Sequence, residues 1–243
     1  MGAKLIKKRI KSMKMPPEYN KTAFQNEMFL RVYDTNRIKL DLQYPSMGMK
    51  NAVKECFVRR GTLKRLNRAA SLLPKGYSLV IFDAWRPFLL QQELYDYYAE
   101  SIIAYYHLES ENENLQKEII NKYVLPPIRS HESPPVHTTG GAVDLSLMDD
   151  EGNMLDMGTA FDCFGTEAAT DYYELHSIND TIRNNRRLLY NVMVSAGFTN
   201  LPSEWWHYDY GDRFWGYYTN NPSLYDGRFG LEEIYETSNT DKD

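Results

Sequence analysis

The chain has 243 residues, in which 33 acidic side chains outnumber 28 basic ones and give a formal net charge of −5. This length suits one large domain, and the body of the chain has no basic run interleaved with aromatic residues, which argues against nucleic-acid binding. No stretch of about 18 apolar residues is present to span a bilayer, and the distant Cys56 and Cys163 argue against a disulfide framework or a cysteine-based metal site.

The concentrated basic run of the chain, Lys4–Lys14, lies close to the amino terminus and includes scattered apolar residues. We predict a loosely ordered, solvated arm over residues 1–20 and one domain over residues 21–243. A weak contact with a membrane surface is the alternative interpretation of this run. The run lacks the continuous apolar stretch of a signal peptide, so we expect the protein to act in the cytoplasm.

Three helices and a strand are predicted before residue 125. Apolar residues recur on one face of Thr62–Leu73, which predicts a helix that a proline and a glycine end. The short run Tyr77–Phe82 is rich in β-forming residues and predicts a buried strand. Two further helices are predicted, from Pro87 to about Leu108 and from Glu109 to Val124.

Strands and one long helix are predicted in the second half. The composition of Pro134–Gly141 predicts a loop, and Ala142–Met148 alternates apolar and polar residues as a strand does. Turn residues after this strand favour a hairpin with Met154–Met157. A helix over Thr181–Ala196 and a strand over Glu204–Tyr210 follow. This order predicts a single α+β domain with a central antiparallel sheet flanked by helices.

The first motif with chemical content is HTTGGAVD, which begins at His137 and ends at Asp144. Its glycines let the chain turn sharply, so the imidazole and the carboxylate can reach one point. Both side chains are good zinc ligands. The structural alternative is a loop histidine beside a strand, with Asp144 bonded to backbone amides.

The second motif is EWWH, from Glu204 to His207. A catalytic zinc ion takes three protein ligands and keeps one position open, and His137, Asp144 and His207 would supply the three. Glu204 would then take a proton from the attacking water and give it to the leaving amine. The structural alternative is a strand end with a salt-bridged glutamate and a packed tryptophan pair.

Arg86 and its neighbour Asp83 follow the predicted strand Tyr77–Phe82. An arginine held there can donate to the oxyanion that forms when water attacks a peptide carbonyl. The alternative is a surface arginine paired with Asp83. His131 is a rival metal ligand, but no carboxylate stands at the matching spacing, and Cys163 is a further possible soft ligand.

Together these motifs resemble the zinc D-Ala-D-Ala dipeptidases, the group found in vancomycin-resistance clusters, within the wider hedgehog and DD-peptidase fold. The resemblance runs from about Tyr19 to about Trp215. It implies that His137, Asp144 and His207 bind one zinc ion and that Glu204 is the general base and acid. It also implies that Arg86 steadies the tetrahedral intermediate.

The resemblance further implies that the protein cleaves the free dipeptide D-Ala-D-Ala to two D-alanines. Asp162 is the candidate for holding the substrate ammonium group, and Ser133 or nearby amides for meeting its carboxylate. The family commonly has a serine where this chain has Pro135, which affects the expected carboxylate contact. The alternatives are a D,D-carboxypeptidase or cell-wall endopeptidase acting on longer peptides, and a zinc-binding interaction module without catalysis.

Overall fold

A sheet of five strands forms the centre of the fold. The computed structural model describes residues 2–25, 27–121, 124, 126–176 and 178–239. Within these residues the strands are β1 Phe29–Val32, β2 Ile38–Leu40, β3 Cys56–Arg59, β4 Ser78–Asp83, β5 Val143–Met148, β6 Thr199–Asn200 and β7 His207–Asp209. The helices are α1 Gly2–Lys7, α2 Gln43–Ser46, α3 Arg60–Leu72, α4 Phe88–Tyr105, α5 Glu113–Ile120, α6 Tyr172–Leu175, α7 Asp180–Ala196, α8 Arg213–Thr219 and α9 Leu231–Asn239.

The strand order of the central sheet is β2-β4-β5-β7-β6, and β1 pairs with β3 in a separate antiparallel ribbon. Strands β4, β5, β7 and β6 pair antiparallel, whereas the edge strand β2 runs parallel to β4. The α+β fold class is confirmed, and the parallel edge is a detail that the sequence did not indicate. The chain between β2 and β4 contains β3 and α3, which makes the long crossover that a parallel pair requires.

The main core lies where β4 and β5 meet α3 and α7. Leu79 and Ile81 of β4 face Leu147 and Leu145 of β5 across the ladder, and all four side chains are fully buried. Each such side chain contributes roughly 1.5–3 kcal/mol of transfer free energy. Helices α3 and α7 contact each other, and their apolar residues belong to the same cluster. The sheet is therefore a rigid platform for the side chains at its ends.

Most predicted elements correspond to observed ones, with shifted ends. The region predicted as the strand Glu204–Tyr210 forms only the three-residue β7, because a turn occupies its first residues. The hairpin after β5 closes, but its second arm is a single bridge between Met148 and Met154 rather than a strand. The helix predicted over Glu109–Val124 is confined to α5, and residues 122 and 123 lie outside the described residues.

The amino-terminal arm packs against α7. The amide nitrogen of Asn191 donates to the carbonyl groups of Leu5 and Lys8, at 2.9 Å and 2.8 Å. Ile10 is buried, and its backbone N–H donates to the Glu174 carboxylate at 3.0 Å. Residues 1–20 thus include a docked helix in the structure, and their looser order in solution stays a prediction. Among the helices described, none is long and apolar enough to cross a membrane.

Candidate metal centre and active site

Three polar residues stand in a row across the central sheet. Asp83 of β4 pairs with Asp144 of β5, and Asp144 pairs with His207 of β7. The register of β4 shifts between Ile81 and Asp83, as in a β-bulge, and this shift brings Asp83 level with Asp144. The shift therefore gathers two carboxylates and an imidazole at one point.

His137 reaches the same point from a tight turn before β5. Residues Val136–Thr139 form a 3-10 turn, which Gly140 ends with a left-handed φ of 72°. A Cβ atom at Gly140 would collide with the ring of Phe29, and one at Gly141 would collide with the carbonyl oxygen of Tyr210. The two glycines are therefore required by close packing as well as by the turn.

The candidate ligand atoms of His137, Asp144 and His207 lie at the spacing of a metal site. His137 Nε2 is 3.4 Å from Asp144 Oδ2 and 3.3 Å from His207 Nδ1. His207 Nδ1 is 3.0 Å from Asp144 Oδ1. Ligand atoms at about 2.0–2.1 Å from a tetrahedral zinc ion are about 3.3 Å apart, and the nearest approaches of these side chains have that spacing, with His137 facing Oδ2 of Asp144 and His207 facing Oδ1. The donor set therefore fits zinc. Among the described residues, these three form the one such group of His, Cys, Asp and Glu side chains.

The second nitrogen of each histidine is held by the protein. His137 Nδ1 lies 2.8 Å from the Ala84 carbonyl oxygen, and His207 Nε2 lies 2.7 Å from Asp209 Oδ1. A carbonyl or carboxylate oxygen only accepts, so the proton belongs on that nitrogen, and the facing nitrogen presents its lone pair to the metal position. The sequence therefore places the histidines in the orientation and tautomer of ligands.

Burial and the neighbouring charges shift the pKa values of the three candidate ligands. Burial, with help from Arg86 and His207, lowers the pKa of His137 to about 3. Burial alone would raise the pKa of Asp144, but His137, His207 and Arg86 outweigh it and hold the carboxyl below its usual range. Burial would likewise lower the pKa of His207, yet Asp209 and Asp144 raise it well above the usual value. The centre thus carries a stable carboxylate, and a cation bound there would displace the extra proton that the raised pKa favours on His207.

Glu204 lies on the turn before β7 rather than on a strand. Its Oε2 atom is 3.8 Å from His207 Nδ1, and 36% of the side chain is exposed. Partial removal of its hydration shell raises the pKa of Glu204 to about 7, with Asp144 and Asp162 adding to the rise and His207 opposing it. A carboxyl that titrates near neutrality and stays accessible to solvent is suited to moving a proton in both directions.

Arg86 is buried, so its interpretation as a surface arginine is wrong. It does pair with Asp83, since Nε donates to Asp83 Oδ2 at 2.9 Å. Nη1 donates to Gln91 at 2.9 Å and Nη2 to the Tyr44 hydroxyl at 3.1 Å, while Asp144 Oδ2 lies 3.6 Å from Nη2. These partners fix the guanidinium beside the candidate metal ligands.

The two candidate substrate-binding residues have different surroundings. Asp162 has a left-handed φ of 57°, and the hydroxyl groups of Tyr44 and Tyr98 both donate to its Oδ2 atom. Burial raises its pKa to about 6, and Asp144 and Arg86 are near enough to influence it. The Ser133 hydroxyl instead accepts from Arg213 Nη1 at 3.0 Å.

The rival ligands lie elsewhere. His131 is exposed, and its ring packs against Phe229 at a centroid distance of 4.9 Å. Cys163 is half-buried, and its sulfur accepts from the backbone N–H of Gly165 at 3.4 Å. Neither belongs to the candidate metal group.

Comparison with known proteins identifies the family of the chain. The model of the peptidase M15 family, described as D-Ala-D-Ala dipeptidase, matches residues 47–225, which include His137, Asp144, Glu204 and His207. The chain belongs to this family. It is therefore a peptidase, and the resemblance stated from its motifs is confirmed.

Curated relatives of this peptidase carry the same description. A D-alanyl-D-alanine dipeptidase of Synechocystis is 32% identical over 180 residues, which is 67% of this chain and 72% of the relative. The Escherichia coli D-alanyl-D-alanine dipeptidase is 29% identical over 155 residues, covering 63% and 66%. That of Enterococcus faecalis is 29% identical over 143 residues, covering 55% and 62%.

Three residues that contact the candidate site of this peptidase, Asp209, Tyr44 and Tyr98, were not predicted from its sequence. Asp209 stands two residues after His207 on the predicted strand, which puts both side chains on one face, so its role as the acceptor behind the imidazole was open to inference. Tyr44 and Tyr98 had no such signal. They meet Asp162 from 118 and 64 residues away in the chain, so only the fold shows their role.

Proposed function

We propose that this peptidase hydrolyses free D-Ala-D-Ala to two D-alanines, with one zinc ion held by His137, Asp144 and His207. The observation that carries the proposal is the spacing of their donor atoms, between 3.0 Å and 3.4 Å, with the other nitrogen of each histidine held by an acceptor. The names of the curated relatives support the choice of D-Ala-D-Ala.

A zinc ion at this centre supplies Lewis-acid chemistry, which polarises the scissile carbonyl group and makes water more acidic. Glu204 takes one proton from the attacking water, as its accessibility and raised pKa allow. The water oxygen bonds to the carbonyl carbon, and Arg86 donates to the oxygen that becomes negative. Glu204 then returns the proton to the departing nitrogen as the carbon–nitrogen bond breaks, which leaves an amine and a carboxylic acid, and the acid releases the second proton of the water to become a carboxylate.

The substrate is a small zwitterion, and we propose that Asp162 pairs with its ammonium group. The Tyr44 hydroxyl connects the two groups, since it donates to Asp162 Oδ2 at 2.9 Å and accepts from Arg86 Nη2 at 3.1 Å, so this carboxylate is two hydrogen bonds from Arg86. Ser133 stays a candidate for the carboxylate end, together with the Arg213 guanidinium that donates to it. Action in the cytoplasm stays a prediction, which fractionation of cells would test.

The experiment that tests the function is release of D-alanine from free D-Ala-D-Ala by the purified protein, before and after treatment with a chelator. We expect release that the chelator abolishes and that added zinc restores. An N-acylated D-Ala-D-Ala runs in parallel. Cleavage of the acylated peptide at a similar rate would favour a carboxypeptidase, and cleavage of neither compound would favour a binding module.

The Glu204→Gln variant separates proton transfer from metal binding. We expect its kcat to fall by about 10²–10⁴, the usual contribution of a general acid–base, while its zinc content stays at one per chain. Glu151→Gln is the matched control, since Glu151 lies exposed in the turn after β5. Unchanged turnover in Glu204→Gln would show that another group moves the proton.

A further inference from the structure

Two phenol groups converge on one oxygen atom of Asp162. Tyr44, on the short helix α2 that contacts β4, donates its hydroxyl to Oδ2 at 2.9 Å. Tyr98, from the middle of α4, donates to the same Oδ2 atom. Among the described residues, no hydrogen bond to the other oxygen, Oδ1, is found. The carboxylate is therefore fixed through one oxygen and keeps the other for a ligand.

The donor direction of both phenols is set by their surroundings. The Tyr44 oxygen accepts a hydrogen bond from Arg86 Nη2 at 3.1 Å, so its own proton points to Asp162. Burial and the Asp162 carboxylate raise the pKa of Tyr98, which keeps its hydroxyl protonated. The chain Arg86–Tyr44–Asp162 joins the group beside the scissile carbonyl to the group proposed for the ammonium end.

Tyr98 also forms part of an aromatic wall at this end of the site. Its ring packs edge-on against Phe164 at a centroid distance of 4.9 Å. The ring of Tyr44, the other donor to Asp162, packs against Phe161 at 5.8 Å. An acylated amino group is bulkier than a free one, so it would crowd these rings, and it would also lose the positive charge that Asp162 attracts.

We propose that Tyr98 is the positioning residue that restricts this peptidase to peptides with a free amino group. It holds Asp162 by Oδ2, so that Oδ1 meets the ammonium group, and its ring closes the pocket against extension at that end. The inference rests on the proposed function, because it assumes that the substrate ammonium group lies at Asp162.

The experiment compares Tyr98→Phe and Tyr98→Ala with the wild type on D-Ala-D-Ala and on N-acetyl-D-Ala-D-Ala. In Tyr98→Phe the ring stays and one hydrogen bond to a charged group is lost, so KM for the free dipeptide should rise about tenfold with kcat nearly unchanged. In Tyr98→Ala the wall opens, so the kcat/KM ratio of acetylated to free peptide should rise at least tenfold. Tyr105→Phe is the control, since Tyr105 is 75% exposed at the end of α4.

Two results would overturn the inference. One is a Tyr98→Phe variant with the wild-type KM, and the other is a folded Tyr98→Ala variant that discriminates against the acetylated peptide as strongly as the wild type does. Calorimetric binding of both peptides in the Glu204→Gln background repeats the comparison without turnover. A wild-type protein that binds the free dipeptide but does not cleave it would refute the proposed function and leave the effect of Tyr98 measurable.

Discussion

Arg86 is a buried charge, and each of the three nitrogen atoms of its guanidinium group donates a hydrogen bond to a different residue. Asp83, Gln91 and Tyr44 are bound by three different nitrogen atoms. A lysine would keep the charge but has one nitrogen, so it cannot hold this geometry. We expect Arg86→Lys to lower kcat by about 10²–10³, the usual loss when one oxyanion donor is removed, and to raise KM less.

Steady-state kinetics on the free dipeptide checks the Arg86 prediction, beside a melting curve that shows whether the variant is folded. Arg129→Lys is the control, because the Arg129 side chain is 61% exposed and pairs with Glu233 at the surface. A kcat within twofold of the wild type in a folded Arg86→Lys protein would contradict the role of Arg86.

The raised pKa of Asp162 predicts how substrate affinity depends on pH. Burial raises this pKa to about 6, so the carboxyl is ionised above that pH and neutral below it. A neutral carboxyl does not pair with ammonium, and near pH 5 only about one tenth of Asp162 would be ionised. KM for the free dipeptide should therefore rise as pH falls from 7 to 5.

The Asp162→Asn variant checks the assignment of this pH dependence. Its KM should be high at every pH and should lack the step near pH 6, because the amide does not titrate. Acid inactivation through Glu204 affects kcat and is thus separated from the effect on KM. A step of equal size in the variant would assign the titration to another group.

At the residue scale, motif spacing predicted which candidate ligands lie close together, but it did not predict the hydrogen bonds that orient the side chains of the site. His137 and Asp144 converge because glycine lets the turn close, and glycine is visible in the sequence. The convergence of Tyr44 and Tyr98 on Asp162 depends on the packing of distant elements. No local pattern encodes such long-range contacts.

At the element scale, the short strand β7 connects the proposed metal site to the sheet. It carries His207 at its start and Asp209 at its end, and Asp209 is fully buried behind the imidazole. We expect Asp209→Asn to lower zinc affinity by about 10–100-fold, because the amide keeps the shape but not the charge that strengthens His207 as a donor. Competition with a chelating dye measures this affinity.

The control for β7 is Asp180→Asn, at the exposed start of α7, which should bind zinc as the wild type does. Equal affinity of Asp209→Asn and the wild type would show that the carboxylate does not act on the metal site.

The predicted strand Glu204–Tyr210 was too long for a physical reason. Its alternation of aromatic and polar residues is typical of a strand, but the backbone N–H of Glu204 turns back to the Leu201 carbonyl at 3.1 Å. Asn200 Nδ2 also donates to the carbonyl oxygen of Glu204 at 3.0 Å. Side-chain bonds of this kind compete with strand pairing and are not visible in apolar periodicity. The turn is also what frees Glu204 from the alternation of a strand.

At the scale of the whole molecule, the proposed zinc ion would join parts of the chain that are separate in sequence. His137 comes from the turn before β5, Asp144 from β5 and His207 from β7. All three side chains are buried, so without a cation the site confines a carboxylate between two imidazoles and near Asp83 and Asp209. The fold class was predictable from the order of helices and strands, whereas this convergence depends on the pairing of β5 with β7, which sets His207 opposite Asp144.

Removal of the metal should therefore lower stability as well as activity. A ligand present at 100 times its Kd stabilises the native state by about 2.7 kcal/mol, which for a chain of this size corresponds to roughly 5–10 °C in Tm. We expect a chelator to lower the Tm of the wild type by this order and added zinc to restore it. His207→Ala is the control, because a protein that has lost one ligand should melt at nearly the same temperature with and without chelator. If the chelator abolished turnover but left the wild-type Tm unchanged, the metal would act on substrate alone and would not connect β5 to β7.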